Sequence, residues 1–156
     1  MAEDTDKIEI LLSDYKDQNE WQRHNENQRV QLANVLLAIS AALVTLLPKD
    51  RALTPNDWPI PAFMIGIGIF GVLAVMKYWE RFLYHVRREE TLRKALDSYF
   101  SDNLLTKTRR DAIKEHNKGW YPLLKDRYLM QHWLWEGVFA LITLLGIYFL
   151  VKALGV

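Results

Sequence analysis

The chain has no cysteine. That excludes disulfides, thiolate metal sites, cysteine nucleophiles and cysteine-borne lipid anchors. Glycine and proline are absent from residues 5–47 and again from 72–118. Since these two residues punctuate chains most strongly, both stretches read as uninterrupted helix. Charge is missing from residues 30–47 and 60–76, and 133–151 carries only Glu136. There is no glycine-rich phosphate loop, no HExxH and no GxSxG. The four histidines (His24, His85, His116 and His132) are scattered without metal-ligand spacing. Nothing therefore points to an enzyme, a cofactor or a metal.

What is present is apolar length. A hydrocarbon core of about 30 Å needs roughly 17–25 helical residues, and the runs 30–47, 60–76 and 133–151 meet or approach that length. The expected fold class is an all-α membrane protein: three transmembrane helices with long cytoplasmic helical extensions, within one membrane domain. The net charge of +1 is uninformative, but its distribution is not. Lys and Arg number 13 between Lys77 and Arg127 and only 2 in the 48–59 loop. The positive-inside rule then places the N-terminus and the 77–132 region in the cytoplasm, and the 48–59 loop and the C-terminus outside, in the inner (cell) membrane. Residues 1–29 lack an apolar h-region, so the first span is expected to act as the insertion signal.

Helix 5–29 runs on into span 30–47; its 43 residues to Leu47 would reach about 64 Å. Its cytoplasmic part has a weak apolar stripe, Ile8, Leu11 or Leu12, and Tyr15, then an amide-rich stretch. Pro48 and the PKDRALTPNDWP segment end the helix. Trp58 suits an interfacial aromatic belt, and Pro61 suits the first turn of the second span. Span 60–76 continues as a cytoplasmic helix to about Phe100. The connector 101–132 opens on a break at 101–103, holds a helix near 104–117 and turns at Gly119 and Pro122. An aromatic belt of Trp120, Tyr121, Tyr128, Trp133 and Trp135 leads into span 133–151.

Four groups of residues are candidates for function. Gln31, Asn34, Ala38, Ala41 and Thr45 recur at steps of 3, 4, 3 and 4 and so share one helix face. Polar side chains in a membrane helix face protein or water. The stripe is thus either the lining of a narrow aqueous path between copies, with His24 and Asn27 as its vestibule, or helix–helix glue. Ala62 with Gly66 and Gly71 with Ala74 form a small-residue packing face, and Gly66 and Gly68 are alternatively a flexible point. His132 and Glu136, four apart, are a proton-sensitive gate or an interfacial pair. Arg87, Arg88, Arg93, Lys94, Arg109, Arg110 and Lys114 form a basic region for anionic lipid or a partner, or else a solvated surface interrupted by acids. Those acids argue against nucleic acid.

YKDQNEWQRHNENQR leads straight into the first span, and KYWERFLYHVRREETLRKALDSYF follows the second. Over residues 8–100 this layout resembles the SLATT-type membrane proteins associated with bacterial nucleotide-signalled defence systems. The resemblance implies two membrane helices with cytoplasmic helical extensions and a pore-forming effector that kills or arrests an infected cell. It matches Trp21 and Arg29 to the aromatic and basic positions before the first span. Trp79, Glu80, Tyr84 and Leu92 match the pattern after the second. The third span departs from the two-span layout. No nucleotide-sensor domain is evident, so a sensor would be a partner protein. The expected function is an oligomeric membrane-perturbing effector or small channel, with a homo-oligomer as its working form. The alternative is a non-channel anchor, scaffold or regulatory subunit that docks a soluble partner.

Overall fold

A computed structural model describes residues 2–48, 52–100, 102–117 and 127–155. Four α-helices account for nearly all of them: α1 Ala2–Leu46, α2 Pro59–Asp97, α3 Leu104–Asn117 and α4 Arg127–Leu154. No strand occurs among the described residues. The turn at Gly119–Pro122, with Trp120 and Tyr121, lies outside the described residues, as does the side chain of Tyr128.

The helix ends follow from local chemistry. Pro48 disfavours helical backbone at Leu47, and α1 tightens into a last 3-10-type bond, Leu47 N–H to Val44 C=O at 3.3 Å. A 3-10 turn, Pro55–Asp57, precedes α2. Its Asp57 carboxylate accepts from both the backbone N–H and the hydroxyl of Thr54, each at 2.8 Å. Pro59 and Pro61 sit in the first turn of α2, where missing N–H groups cost no hydrogen bond. At its far end α2 stops at Asp97, three residues earlier than expected from the sequence, through tightened bonds from Ser98, Tyr99 and Phe100.

Contacts gather into two compact units: residues 1–26 with 80–127, and residues 27–79 with 128–156. In the second unit, α1, α2 and α4 pack on a core of Ala33, Leu36, Ile67, Val75 and Phe139. Phe139 is fully buried. The helices α2 and α4 approach almost backbone to backbone. A Cβ on Gly68 would lie 2.8 Å from Phe139 C=O and Thr143 N, and one on Gly71 would enter the Phe139 ring. Further along, Gly146 admits Pro61 and Ile65 in the same way.

The outside of this unit is apolar too. Phe63, Phe70, Leu73, Trp133, Leu134, Leu141 and Leu144 are each at least half exposed. Only 17–33% of each helix's most apolar window is buried. Helices hydrophobic all round with so little of that surface covered fit a lipid environment. The described residues thus include three helices long and apolar enough to cross a membrane.

In the first unit, α1 presents Ile8, Leu11, Tyr15, Gln18, Gln22 and Asn25 as its more buried face, at steps of 3, 4, 3, 4 and 3. This seam begins apolar and turns polar. From α2, His85 meets Gln18 of this seam, and the same face of α2 carries Glu89, Arg93 and Leu96, all three buried.

Candidate functional surfaces

On α1 the five-residue stripe predicted from spacing is exposed at every position: Gln31, Asn34, Ala38, Ala41 and Thr45. The buried face of the same stretch is Arg29, Ala33, Leu36 and Ser40. The helix's own neighbours therefore leave the stripe uncovered. The Ser and Thr hydroxyls of these spans are self-satisfied. Ser40 donates to Leu36 C=O at 2.8 Å, Thr45 to Ala42 C=O at 2.7 Å, and Thr143 to Phe139 C=O at 3.0 Å. No such hydrogen bond ties down the exposed amides of Gln31 and Asn34 among the described residues.

The small-residue face differs in register from the expected one. Gly71 does pack, against Phe139, but its close-packing partner is Gly68. Gly66 is exposed and a Cβ there would meet nothing within 4 Å. Ala62 and Ala74 are half-buried. The reason is geometric. Gly68 and Gly71 are three apart and lie under one partner helix, whereas Gly66 is rotated away by about 200° from Gly68 at 100° per residue.

His132 and Glu136 meet, with Nε2 to Oε1 at 3.1 Å. With no local signal in the sequence, the His132 ring also stacks on Trp79 of α2, centroids 4.9 Å apart and planes within 17°. His132 Nδ1 is buried and has no hydrogen-bond partner.

The basic region is divided by the structure. Arg109 Nη1 reaches both carboxylate oxygens of Glu89, at 3.2 and 3.3 Å. Buried Arg93 lies between Glu89 and Glu90, at 3.9 and 3.8 Å, and Lys94 pairs with Glu90 at 3.3 Å. Arg87, Arg88, Arg110 and Lys114 remain exposed. The hydrogen bond from Lys94, then its charge, holds Glu90 below the usual carboxylate range.

Two polar sites in the first unit carried no sequence signal. Gln18, 5% exposed, pairs its Oε1 with His85 Nδ1 at 2.8 Å. Trp21 stacks on His85 with planes 7° apart and meets His24 edge-on. Burial, then the Arg88 charge, lowers the His85 pKa, favouring the neutral ring. Next to this pair, Gln22 Nε2 and Asn25 Nδ2 are buried without hydrogen-bond partners. The second site is Asp97. Its carboxylate accepts the N–H groups of Leu105 and Thr106 at 2.8 and 2.9 Å. Burial pushes its pKa up, but these bonds, the Thr106 side chain and the Arg93 charge outweigh burial and hold it below the usual range.

Among the described residues no three His, Asp or Glu side chains gather as a metal site would require. Family models, curated proteins and solved structures were compared with the chain, and none matches.

Proposed function

We propose that this chain works in a membrane as a homo-oligomer, a small channel or membrane-perturbing effector in which copies meet through the outer face of α1. The observation that carries this reading is the exposure of Gln31 and Asn34 in residues 30–46 of α1, where the remaining surface is largely apolar. An amide facing hydrocarbon costs free energy, and one facing another helix gains up to about 2 kcal/mol. Small neighbours on the same stripe, Ala38 and Ala41, permit close approach between copies.

The Lys/Arg distribution supports an orientation in the inner (cell) membrane with the N-terminus and the 77–132 region in the cytoplasm. In that orientation the first unit is the cytoplasmic part through which a trigger acts. Any such trigger must bind the open arrangement better than the closed one. The likeness to SLATT-type proteins supports a role in bacterial defence, with a partner protein as sensor.

The test is membrane potential in bacteria expressing the chain, read with a voltage-sensitive dye. The comparison is the Gln31→Leu/Asn34→Leu variant at matched membrane abundance. Depolarisation by the parent chain that the variant loses is the expected result. Equal depolarisation by both would remove α1 as the lining. Cross-linked oligomers that persist without depolarisation by the parent would favour an anchor or scaffold.

A further inference from the structure

We propose that α3 is a releasable helix, latched to the end of α2 by charge rather than by apolar packing. This inference concerns the first unit alone and does not depend on the chain's forming a pore.

Consider first how α3 begins. Its first intrahelical bond, Lys107 N–H to Asn103 C=O at 2.9 Å, makes Asn103 the N-cap residue. A capping side chain ordinarily satisfies the next free N–H groups from an extended backbone. Asn103 has φ +49°, the left-handed region, so its geometry departs from that of an ordinary cap. Instead Asp97, at the end of α2, accepts the N–H groups of Leu105 and Thr106. It is 2% exposed. One carboxylate therefore ends one helix and starts the next, and its charge is favourable at the N-terminus of α3.

The second tie is Arg109 to Glu89, one further turn along α3. Beyond these, little of residues 102–115 is covered. Leu104 and Ile113, its two largest apolar residues besides Leu105, are 48% and 50% exposed. Of residues 102–115, only Leu105, Thr106 and Arg109 are even half-buried. Of these, Arg109 carries charge and Thr106 meets it, and Leu105 is the single apolar side chain of residues 102–115 that is half-buried.

The released state is also provided for. Glu89 and Asp97 would lose their α3 partners, which is costly for a buried charge left alone. Arg93 prevents that. It is buried on α2, 3.9 Å from Glu89, and its charge acts on Asp97. Its Nε and Nη1 make no hydrogen bond in the latched state, so donors stand ready for both carboxylates. A 14-residue helix is marginal alone in water, so a released α3 unfolds.

Hydrogen exchange on the full chain in nanodiscs tests this, comparing the amides of residues 108–114 at 20 mM and 1 M NaCl. Salt reaches the Arg109–Glu89 tie through the half-exposed Arg109, as the screening length falls to about 3 Å at 1 M, whereas the bonds to buried Asp97 are screened much less. The expected result is a several-fold loss of α3 protection at high salt, with the amides of residues 80–96 unchanged. Glu89→Gln should reproduce that loss at low salt, and Asp97→Asn should exceed it. Protection of α3 that is indifferent to salt and to Glu89→Gln overturns the proposal. So does a loss in which residues 80–96 exchange together with α3, because α3 would then be an integral part of one cooperative unit.

Discussion

Replacing single glycines of α2 by alanine tests which face of that helix holds α4. At Gly71 the new methyl would enter the Phe139 ring. That ring is fully buried among Ala33, Leu36, Ile67 and Val75, so it has no open space to swing into. At Gly68 the methyl would run into Thr143 Oγ1 and, behind it, the backbone of Phe139 C=O and Thr143 N at 2.8 Å, and backbone yields less than a side chain. At Gly66 the methyl meets nothing within 4 Å. All three substitutions gain about 1 kcal/mol of helix propensity, so that gain cancels in the comparison. What remains is overpacking, about 1–3 kcal/mol. Gly68→Ala and Gly71→Ala should therefore be less stable than Gly66→Ala by about that amount. The assay is equilibrium unfolding in mixed detergent micelles, followed by circular dichroism. Equal midpoints for Gly66→Ala and Gly71→Ala would refute the idea that close backbone approach holds α2 to α4. A Gly66→Ala chain that folds normally but assembles poorly would place Gly66 in a contact between copies.

Two titrations follow from the first unit. The His85 pKa is lowered from its ordinary value of 6.5, so the fold favours the neutral ring. Its contribution is full above pH 6.5 and is lost as pH falls through the lower folded value. The protection of the amides of residues 8–26, taken relative to the intrinsic exchange rate at each pH, should therefore fall on acidification from pH 7 to pH 5, and His85→Gln should flatten that dependence. Asp97 is likewise held below its ordinary 3.8. Its contribution is complete above that value and lost only as pH falls through the lower folded one. Protection of α3 should persist through the pH range in which α1 loosens and fail only in stronger acid. Loss of α3 protection already at pH 5 would contradict the assignment.

The helices were legible because they rest on local signals. Missing glycine and proline marked α1 and most of α2, and the 3.6-residue period marked the stripe at Gln31–Thr45. The bounds expected for α3, 104–117, coincide with those observed. What stayed hidden depends on which residues of different helices face one another. Trp79 and His132 are 53 positions apart, and nothing local to either announces a stack. Small-residue spacing pointed to Gly66 with Ala62, whereas Gly68 is the glycine under α4, because the choice belongs to the position of Phe139 and Thr143. Asp97 looked like one acid among several in a mixed-charge helix. Its role as a cap appears only when the chain turns at Asn103 and brings Leu105 and Thr106 back to it.

The two faces of α1 in residues 27–46 carry the functional reading furthest. At 100° per residue, the direction of Arg29, Ala33, Leu36 and Ser40 lies roughly 150° from that of Gln31, Asn34, Ala38, Ala41 and Thr45. The first set is buried by α2 and α4, and the second is exposed. A stripe on the side of the helix away from its neighbours cannot be glue for packing within the chain. Thr45 already bonds its own helix, so the unmet demand rests with the amides of Gln31 and Asn34. In a membrane, hydrocarbon would not meet it, whereas water or another copy of α1 would. If that reasoning holds, Gln31→Leu/Asn34→Leu separates fold from assembly. The α1–α2–α4 core keeps its unfolding midpoint, because neither side chain belongs to it. Cross-linking between copies falls to the level of a monomeric membrane protein. A variant that loses its unfolding midpoint together with assembly would show that the outer stripe serves the chain's own fold.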